Sequence, residues 1–327
     1  MKEYRRRDFL SKLFILGNGF DLAHKLPTSY EDFHQYLLET YPRARKLQPT
    51  FDVSIEHTDD GIDVDDTDAV AFIRNAIDQV EDEHWWNVES SLAHLPFEDY
   101  LSDQEDMFDL DDDRELYRNV YRHEDTSDAF YRVMLKFHKF LVDWVRSIDI
   151  SDTIPIENFK TLIDNEDDYF LTFNYTCVLE DIYDANEDNV CHIHGAQYSC
   201  DSKMLFGHGH VRDEYESLHI GATESLEKIH RLLKKDTNSA LDSAEFFFDD
   251  LSSVQEIYSI GFSFSEVDLI YIRRICEACN TEKCTWYLFD YRYDETEEEY
   301  KRKIREAGFK GEFDIFSMKE NEEYEDE

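Results

Sequence analysis

The sequence predicts an α/β protein whose parallel sheet is interrupted, after its first strand, by a helical insertion. Short apolar runs rich in β-branched and aromatic residues alternate with helical patterns over most of the 327-residue chain, as they do in doubly wound α/β sheets. The interval 41–164 instead shows long helical patterns and acidic loops, and we expect no strand there. We therefore predict a Rossmann-like parallel sheet with a helical insertion between strand one and the rest of the sheet.

The predicted strands are mostly apolar on both faces, which is typical of a parallel sheet covered by helices. The first is KLFILG at 12–17, directly before a Gly-x-Gly turn. A late run, EFDIFSM, is expected to add an edge strand. The strands between these two are predicted at 169–176, 189–195, 204–209, 257–263 and 285–291.

The position of the insertion makes the predicted core discontinuous in sequence. We expect residues 1–40 and 165–320 to form a Rossmann-like nucleotide-binding core. Residues 41–164 should form the helical insertion with its acidic loops, and residues 321–327, which read NEEYEDE, an acidic tail.

The charge of the chain restricts its partners. With 76 acidic and 34 basic residues the formal net charge is −42, which opposes binding to the phosphates of free nucleic acid. The charge favours a highly charged soluble surface, and salt adaptation or a basic protein partner is the alternative. No apolar run reaches the roughly 18–20 residues that span a bilayer, and Ser11 and Lys12 interrupt the apolar segment near the start. We therefore expect no membrane partner and no secretion signal, and we predict a cytoplasmic protein.

The six cysteines do not predict a disulfide framework in a chain of this length without a signal. Cys276, Cys279 and Cys284 could offer three thiolates to zinc, but no fourth ligand lies at a suitable spacing. Because the first two end an apolar helical pattern, we interpret them as small buried side chains. No metal is expected.

The stretch GNGFDLAHKLPTSYEDF carries the first candidate site. Gly17 and Gly19 follow the first strand with the spacing of a phosphate-binding turn, which Asn18 and Phe20 would complete. The third glycine of the dinucleotide fingerprint is missing, because Leu22 occupies its place. A standard dehydrogenase is therefore disfavoured.

Two polar residues follow this turn. Asp21 and His24 stand where an ordinary dinucleotide-binding helix carries small apolar residues. Pro27 then precedes a new helical pattern, with Thr28 or Ser29 as its cap. We expect a short first helix and a polar loop over a nucleotide.

Two further candidates lie at the ends of predicted strands. Asn174 ends a strand in TFNYT, close to Thr172, and ligands of parallel sheets bind at the carboxyl ends of the strands. An Asx turn explains Asn174 equally well when it is taken alone. In HIHG, His192 and His194 point to the same face, and Gly195 removes bulk beside the second histidine.

The last candidates are two glycine-containing loops. FGHGH repeats the His-x-His spacing with His208 and His210. In IGFSFSEVD, a late strand gives way to a turn with Gly261, Ser263 and Asp268, where glycine and hydroxyl groups can contact a ribose or a phosphate.

Taken in order, these motifs resemble the AbiH family of bacteriophage abortive-infection proteins. The resemblance rests on GNGFDLAHKLPTSYEDF, WWNVESSL, LTFNYT, HIHG, FGHG and IGFSFSEVDL, and it covers about residues 13–290. It implies a role in phage defence, in which a phage-derived component is the trigger.

The same order more distantly resembles the sirtuin-like NAD-binding fold. By position, the Gly-x-Gly turn and the late Gly-Ser turn would contact NAD, and Asn174 and His194 would be catalytic. The four-cysteine zinc module of deacylating sirtuins is absent from the sequence, which argues against protein deacylation. The catalytic set is then Asn174, His194 and Asp21, and the cofactor-binding set is Gly17, Asn18, Gly19, Phe20, His24, Thr172, His192, Gly261, Ser263 and Asp268.

The leading hypothesis is hydrolysis of NAD, as substrate, at the nicotinamide–ribose bond. Nicotinamide leaves this bond without a general acid, because it is already cationic. The reaction needs stabilisation of an oxocarbenium-like ribosyl centre and a base for water. Asn174 is suited to the first task and His194 to the second, since histidine titrates near neutral pH.

Two alternatives stay open. The histidines His192, His194, His208 and His210 could converge on one ion in a metal-dependent hydrolase or nuclease. Alternatively, the protein is a nucleotide-sensing module without turnover, whose acidic loops recruit a basic partner. The sequence leaves a homo-oligomer open as well.

Overall fold

The computed structural model of the protein describes residues 11–44, 55–58, 61–81, 85–105, 113–200, 204–209, 217–290 and 294–318. The predicted acidic tail 321–327 and His210 lie outside these ranges. The chain divides into two compact units. The sheet unit consists of Met1–Thr28, Ile148–Leu205 and Asp236–Glu327, and the helical unit of Ser29–Ser147 and Phe206–Lys235.

The elements alternate along the chain as α/β patterning requires. Within the described ranges, the strands are β1 (Lys12–Leu16), β2 (Ile55–Thr58), β3 (Gly61–Val64), β4 (Tyr169–Thr172), β5 (Val190–His192), β6 (Glu256–Ile260), β7 (Thr285–Phe289) and β8 (Glu312–Phe316). The helices are α1 (Asn18–Ala23), α2 (Tyr30–Thr40), α3 (Asp66–Glu81), α4 (Val88–Ser91), α5 (Phe97–Glu105), α6 (Asp113–Ser147), α7 (Glu157–Leu162), α8 (Val178–Tyr183), α9 (Thr223–Leu232), α10 (Thr237–Ser243), α11 (Glu245–Asp249), α12 (Leu269–Ala278) and α13 (Asp294–Glu306).

The sheet unit contains a six-stranded sheet in the order β5-β4-β1-β6-β7-β8. Each neighbouring pair in it is parallel. The chain moves from the central β1 outward to β4 and β5, then returns to β6 on the other side of β1. This is the strand order of a Rossmann sheet, and its switch point lies between β1 and β6. The predicted α/β fold class is confirmed.

The strand predictions are confirmed except at 204–209. Five of the predicted runs, and the late edge strand, overlap β1, β4, β5, β6, β7 and β8. The run 204–209 is wrong as a strand, since its single bridge joins His208 to Lys234. Gly207 has φ +138, which takes the backbone out of the strand region, and this segment packs against the chain around Leu233 instead.

The core of the sheet unit is built on β1. Leu13, Phe14, Ile15 and Leu16 are fully buried, as expected for a central strand with helices on both faces. The Phe14 ring stacks on Phe170 of β4 at 5.4 Å and on Tyr258 of β6 at 5.1 Å. Tyr258 stacks in turn on Tyr287 at 4.4 Å. One row of rings therefore joins four adjacent strands on one face of the sheet.

The helical unit is organised around the 35-residue helix α6, which packs against α2, α3, α5 and α9. Phe33, Phe137 and Trp144 form part of its aromatic core, with Phe33 5.2 Å from Trp144. Helix α2 begins with a capping box in which Ser29 and Asp32 bond each other's backbone, so the predicted cap at Ser29 is confirmed. The expectation of no strand in this interval is wrong, because β2 and β3 form an antiparallel hairpin.

The units divide the chain differently from the predicted core and insertion at two places. Helix α2, which the prediction assigned to the core, lies in the helical unit, and residues 206–235 lie there too. Helix α9 carries an apolar face with Leu226 and Ile229 buried, and it packs along α6. Among the described residues, no helix has the length and apolar character needed to cross a bilayer.

We expect Phe14→Ala to lower the free energy of unfolding by about 3–5 kcal/mol, because it removes a ring from the centre of the packed row. Phe246→Ala is the matched control, since Phe246 is 84% exposed, and its effect should stay within about 0.5 kcal/mol. Urea unfolding followed by circular dichroism measures both. Equal effects of the two substitutions would contradict the packing described for Phe14.

Candidate functional site

Polar residues gather where four adjacent strands of the sheet unit end. β5, β4, β1 and β6 end at His192, Thr172, Leu16 and Ile260. Because neighbouring parallel strands end at the same edge, the loops that follow them lie side by side. The carboxyl-edge site consists of this edge, Asp21 of α1, and the segments that carry Asn174, His194 and Asp268.

The three glycines of this edge contact one another. A Cβ on Gly17 would lie 2.4 Å from the carbonyl oxygen of Gly261, and a Cβ on Gly19 would lie 2.6 Å from its Cα. The N–H of Gly19 donates to the carbonyl oxygen of Gly261 at 3.1 Å. The glycines therefore let the turn after β1 touch the turn after β6. Their predicted approach to a phosphate stays a prediction, and the contacts seen here are with protein backbone.

Asp21 is the centre of the site's hydrogen-bond network. Its carboxyl group is almost fully buried, with Asn174 Nδ2 donating to Oδ1 at 2.8 Å and Thr176 Oγ1 donating to Oδ2 at 2.7 Å. The segments joined here are 153 and 155 residues apart in sequence. Sequence reasoning named Asp21 and Asn174 but missed Thr176, although it stands in the same TFNYT motif.

The same burial perturbs the titration of Asp21. Desolvation raises its pKa to about 7, against the opposing effects of the Thr176 and Asn174 hydrogen bonds and the charge of His192. Near neutral pH the carboxyl group therefore exists in both protonation states. Because both oxygens accept hydrogen bonds from the protein, Asp21 serves to position Asn174 and Thr176.

Asn174 is held by three of its four polar groups. Besides its bond to Asp21, its N–H donates to Thr172 Oγ1 at 3.1 Å and its carbonyl oxygen accepts from His192 Nδ1 at 3.0 Å. Nδ1 must carry the proton in that contact, since a carbonyl only accepts. No residue that the structure describes donates to the remaining group, the side-chain oxygen Oδ1.

His192 forms an ion pair with Glu180 of α8. Its Nε2 lies 2.8 Å from Glu180 Oε1. Burial opposes the charge of the ring, but the hydrogen bond and charge of Glu180, with smaller contributions from the Asn174 carbonyl and Asp21, raise the pKa of His192. Glu180 is a residue that sequence reasoning missed, because nothing in the spacing links a strand-end histidine to the preceding helix.

His194 has a different partner from His192. Its Nε2 lies 3.5 Å from Asp268 Oδ1, and its ring meets the edge of Phe173 with centroids 5.0 Å apart. Asp268 in turn accepts from Ser265 Oγ at 2.7 Å. The structure thus brings together two predicted residues, His194 and Asp268, as a histidine–carboxylate pair.

Two of the predicted ligand-binding residues, His24 and Phe20, are buried and make contacts within the sheet unit. His24 Nδ1 lies 2.8 Å from the Phe20 carbonyl oxygen, and Nε2 lies 2.6 Å from the Tyr183 hydroxyl. The hydroxyl accepts from the N–H of Ile156, so its proton points to His24, and burial lowers the pKa of that histidine. Phe20 packs on Phe159 at 4.8 Å. Both residues join α1 to its neighbours in the sheet unit, and a contact of either with a ligand stays a prediction.

The remaining predicted residues differ in exposure. Asn18 and Ser263 are exposed at the turns after β1 and β6, and Thr172 is buried beneath Asn174. His208 belongs to the helical unit, where its ring lies 4.6 Å from that of His230. Of the four histidines in the alternative metal hypothesis, His192 and His194 thus lie in the sheet unit and His208 in the helical unit. His210 is outside the described residues.

The helical unit has a polar cluster of its own. Lys235, only 3% exposed, lies beside Glu89 with Nζ to Oε2 at 3.1 Å. Glu89 also accepts from the Tyr30 hydroxyl at 3.0 Å. Tyr30 and Glu89 come from the motifs PTSYEDF and WWNVESSL. These motifs therefore stabilise the helical unit through a buried ion pair and a hydroxyl.

The three late cysteines are interpreted most simply as buried thiols. Cys279 Sγ donates to the carbonyl oxygen of Leu251 at 3.5 Å, and Cys284 Sγ to that of Val254 at 3.3 Å. Burial raises the pKa of Cys276 and of Cys279 to about 12, which keeps both thiols protonated.

The fold and the site define an α/β protein of the Rossmann type with a buried polar network at the carboxyl edge of its sheet. The family model described as Bacteriophage abortive infection AbiH matches residues 13–290, and the chain therefore belongs to the AbiH family. The resemblance found in the motifs is confirmed, and the family implies a role in abortive infection. No curated protein and no solved structure matches the chain. The likeness to the sirtuin-like fold stays a prediction.

We expect Gly261→Ala to destabilise the protein far more than Gly308→Ala. Both glycines have positive φ, +63 and +115, but a Cβ at Gly261 would lie 2.4 Å from the Phe20 nitrogen, whereas at Gly308 the nearest atom is 3.6 Å away. Gly308→Ala therefore carries the backbone cost alone, about 1–2 kcal/mol. Melting temperatures of both variants measure the difference, and equal shifts would show that the turns do not need their close contact.

We expect Asp21→Asn to remove a pH-dependent loss of stability. Between the ordinary pKa of 3.8 and about 7, the folded protein keeps a proton on Asp21 that the unfolded chain has released. This contribution to stability is complete below pH 3.8 and is lost as the pH rises through 7. The variant should therefore gain stability relative to wild type as the pH rises from 5 to 8, by about 1.4 kcal/mol per unit of pKa shift removed. Urea unfolding across that range tests this; a constant difference would contradict the burial of Asp21.

Proposed function

We propose that the carboxyl-edge site hydrolyses NAD at the nicotinamide–ribose bond, and that this activity serves abortive infection. The observation that carries the proposal is the orientation of Asn174, which three hydrogen bonds hold with its side-chain oxygen left over. Asn174 stands at the carboxyl end of β4, next to the central strand of a Rossmann sheet, where such sheets bind nucleotides.

The amide oxygen of Asn174 carries partial negative charge and is fixed before the substrate arrives. An oxygen of this kind stabilises the positive charge that develops on ribose as the glycosidic bond lengthens, or it holds the attacking water. Asp21 supports this role because, as a carboxylate, it accepts from Nδ2 and so keeps Oδ1 pointing away from itself.

The base in this proposal is His194. With Asp268 beside Nε2, the ring proton is favoured on that nitrogen, and the lone pair then lies on Nδ1. This assignment separates the two histidines of HIHG. His192 has both ring nitrogens against acceptors, the Asn174 carbonyl and Glu180. These acceptors favour the doubly protonated ring, which has no lone pair left to take a proton from water.

The reaction balances with water as the only other reactant. The bond between ribose C1′ and the nicotinamide nitrogen breaks, and its electron pair neutralises the pyridinium ring. Water attacks C1′ and transfers a proton to His194, which releases it to solvent. The products are nicotinamide, ADP-ribose and a proton.

We expect Asn174→Ala and His194→Ala to lower nicotinamide release by at least about 100-fold each, the usual loss for a pre-organised polar group or a general base. Purified protein would be incubated with NAD, with and without phage lysate, and nicotinamide quantified. Asn280→Ala is the control, because Asn280 is exposed and lies between the end of α12 and the start of β7, at the amino ends of the strands.

No nicotinamide release under either condition, together with normal phage defence by cells carrying Asn174→Ala, would refute the proposal. Retained defence with lost release would separate the chemistry from the biological role. In that case NAD hydrolysis would not be the basis of defence.

A further inference from the structure

A group of three metal-ligating side chains lies beside Asn174 and has no part in the proposed hydrolysis. Cys177 is the residue before α8, Glu180 lies in the first turn of that helix, and His192 ends β5. Their ligand atoms all lie within 4.8 Å of one another. Among the residues that the structure describes, no other group of three has its ligand atoms this close.

The orientation of His192 is the one that metal-binding histidines adopt. Its Nδ1–H donates to the carbonyl oxygen of Asn174 at 3.0 Å, which directs Nε2 towards Glu180. Histidine ligands almost always hold the ring in this way, with the second nitrogen bonded to a carbonyl or carboxylate. The backbone of the TFNYT loop therefore fixes the tautomer that metal binding through Nε2 requires.

The spacing and the accessibility of the three side chains suit a small cation. Tetrahedral zinc, with bonds of about 2.0–2.3 Å, separates its ligand atoms by about 3.3–3.8 Å. The ligand atoms lie within 4.8 Å of one another, so the widest separation would close by at most about 1 Å. The 2.8 Å contact between His192 Nε2 and Glu180 Oε1 would open to admit the ion. The side chains of His192 and Glu180 are 12% and 17% exposed, so an ion can reach them from solvent.

We propose that Cys177, Glu180 and His192 form a zinc site. The combination of thiolate, imidazole and carboxylate ligands selects zinc over magnesium or calcium, which prefer oxygen ligands alone. Three protein ligands leave the fourth position of the ion for water or for a ligand. Binding displaces the proton of the Cys177 thiol to solvent and replaces the contact between His192 and Glu180 with a bond from each to the metal.

The surrounding charge favours a cation. Burial, and after it the negative charges of Glu180, Asp181, Glu187 and Asp21, raise the pKa of the Cys177 thiol to about 12, so the thiol would lose its proton only as the metal binds. His192 is the basic residue that contacts Glu180 within these acidic surroundings. As a metal ligand His192 would be neutral, and the metal ion would then supply the positive charge beside Glu180. The site differs from Cys279 and Cys284, whose thiols donate to backbone carbonyls.

The test uses the full chain, purified without a histidine tag and stripped with a chelator. ZnCl2 is added, and the bound metal is measured by mass spectrometry and by competition with a zinc indicator. We expect one zinc per chain in wild type, and affinity at least about 10-fold lower in Cys177→Ser, Glu180→Gln and His192→Gln. Replacing zinc with CoCl2 should give a thiolate-to-cobalt absorption band that Cys177→Ser abolishes.

Two controls make the outcome decisive. Cys200→Ser removes an exposed thiol and should leave zinc binding unchanged. Cys284→Ser tests the late cysteines, and loss of zinc in this variant with retention in Cys177→Ser would overturn the proposal. So would the absence of stoichiometric zinc in wild type, or zinc that all three ligand variants retain. Melting temperatures in the metal-free state identify a variant that loses zinc only because it unfolds, and Glu180→Gln, which keeps a hydrogen bond to His192, then decides. No readout depends on NAD hydrolysis.

Discussion

The contact between two glycine turns is the constraint on which the carboxyl edge of the sheet depends. Gly17 and Gly19 after β1 meet Gly261 after β6 at distances that no side chain permits. β1 and β6 are the strands on either side of the switch point. The contact therefore lies at the bottom of the crevice in which a Rossmann sheet usually binds its ligand. It also sets the direction of α1, which begins at Asn18, and with it the position of every residue of that helix.

The glycine contact positions Asp21, and Asp21 in turn positions Asn174 and Thr176 through hydrogen bonds. It lies two residues after Gly19, in the first turn of α1, with its carboxyl group buried against the loop after β4. A buried carboxylate is costly unless it is hydrogen-bonded, and Asn174 and Thr176 supply those bonds. The cost that remains is visible in the raised pKa. The network is therefore not a source of stability at neutral pH; its effect is to hold Asn174 in one orientation.

Local patterns predicted the fold well because its signals are local. Continuous apolar runs such as that of β1 favour buried strands, and their alternation with helices indicates a parallel sheet. The run 204–209 has a similar composition, yet Gly207 adopts a φ of +138 and contacts the backbone of Leu233 within the helical unit. A glycine inside an apolar run can serve a bulge, a strand or a turn, and its neighbours in sequence do not distinguish these uses.

The positions of the site residues were predictable from the ends of the strands, but their hydrogen-bond partners were not. The rule that ligands bind at carboxyl ends of parallel strands located Asn174 and the HIHG histidines, but the partners of these residues depend on tertiary contacts. His24 bonds Tyr183, which is 159 residues away, so its helical neighbours could not show that it is a core residue. Glu180 was missed for the same reason, since its approach to His192 exists only once β5 pairs with β4 and α8 packs beside them.

The backbone carbonyl of Asn174 links the two proposals without making either depend on the other. His192 donates to it through Nδ1, and that bond is the same whether Nε2 faces Glu180, as it does here, or a zinc ion. Metal binding would therefore leave in place the contact that helps to orient Asn174, while changing the charge beside Asp21. The two histidines of HIHG have different partners: His192 contacts the carbonyl oxygen of Asn174 and Glu180, and His194 lies beside Asp268. The sequence separated the two only by Gly195 beside His194, whereas in the structure each meets a different carboxylate, Glu180 or Asp268.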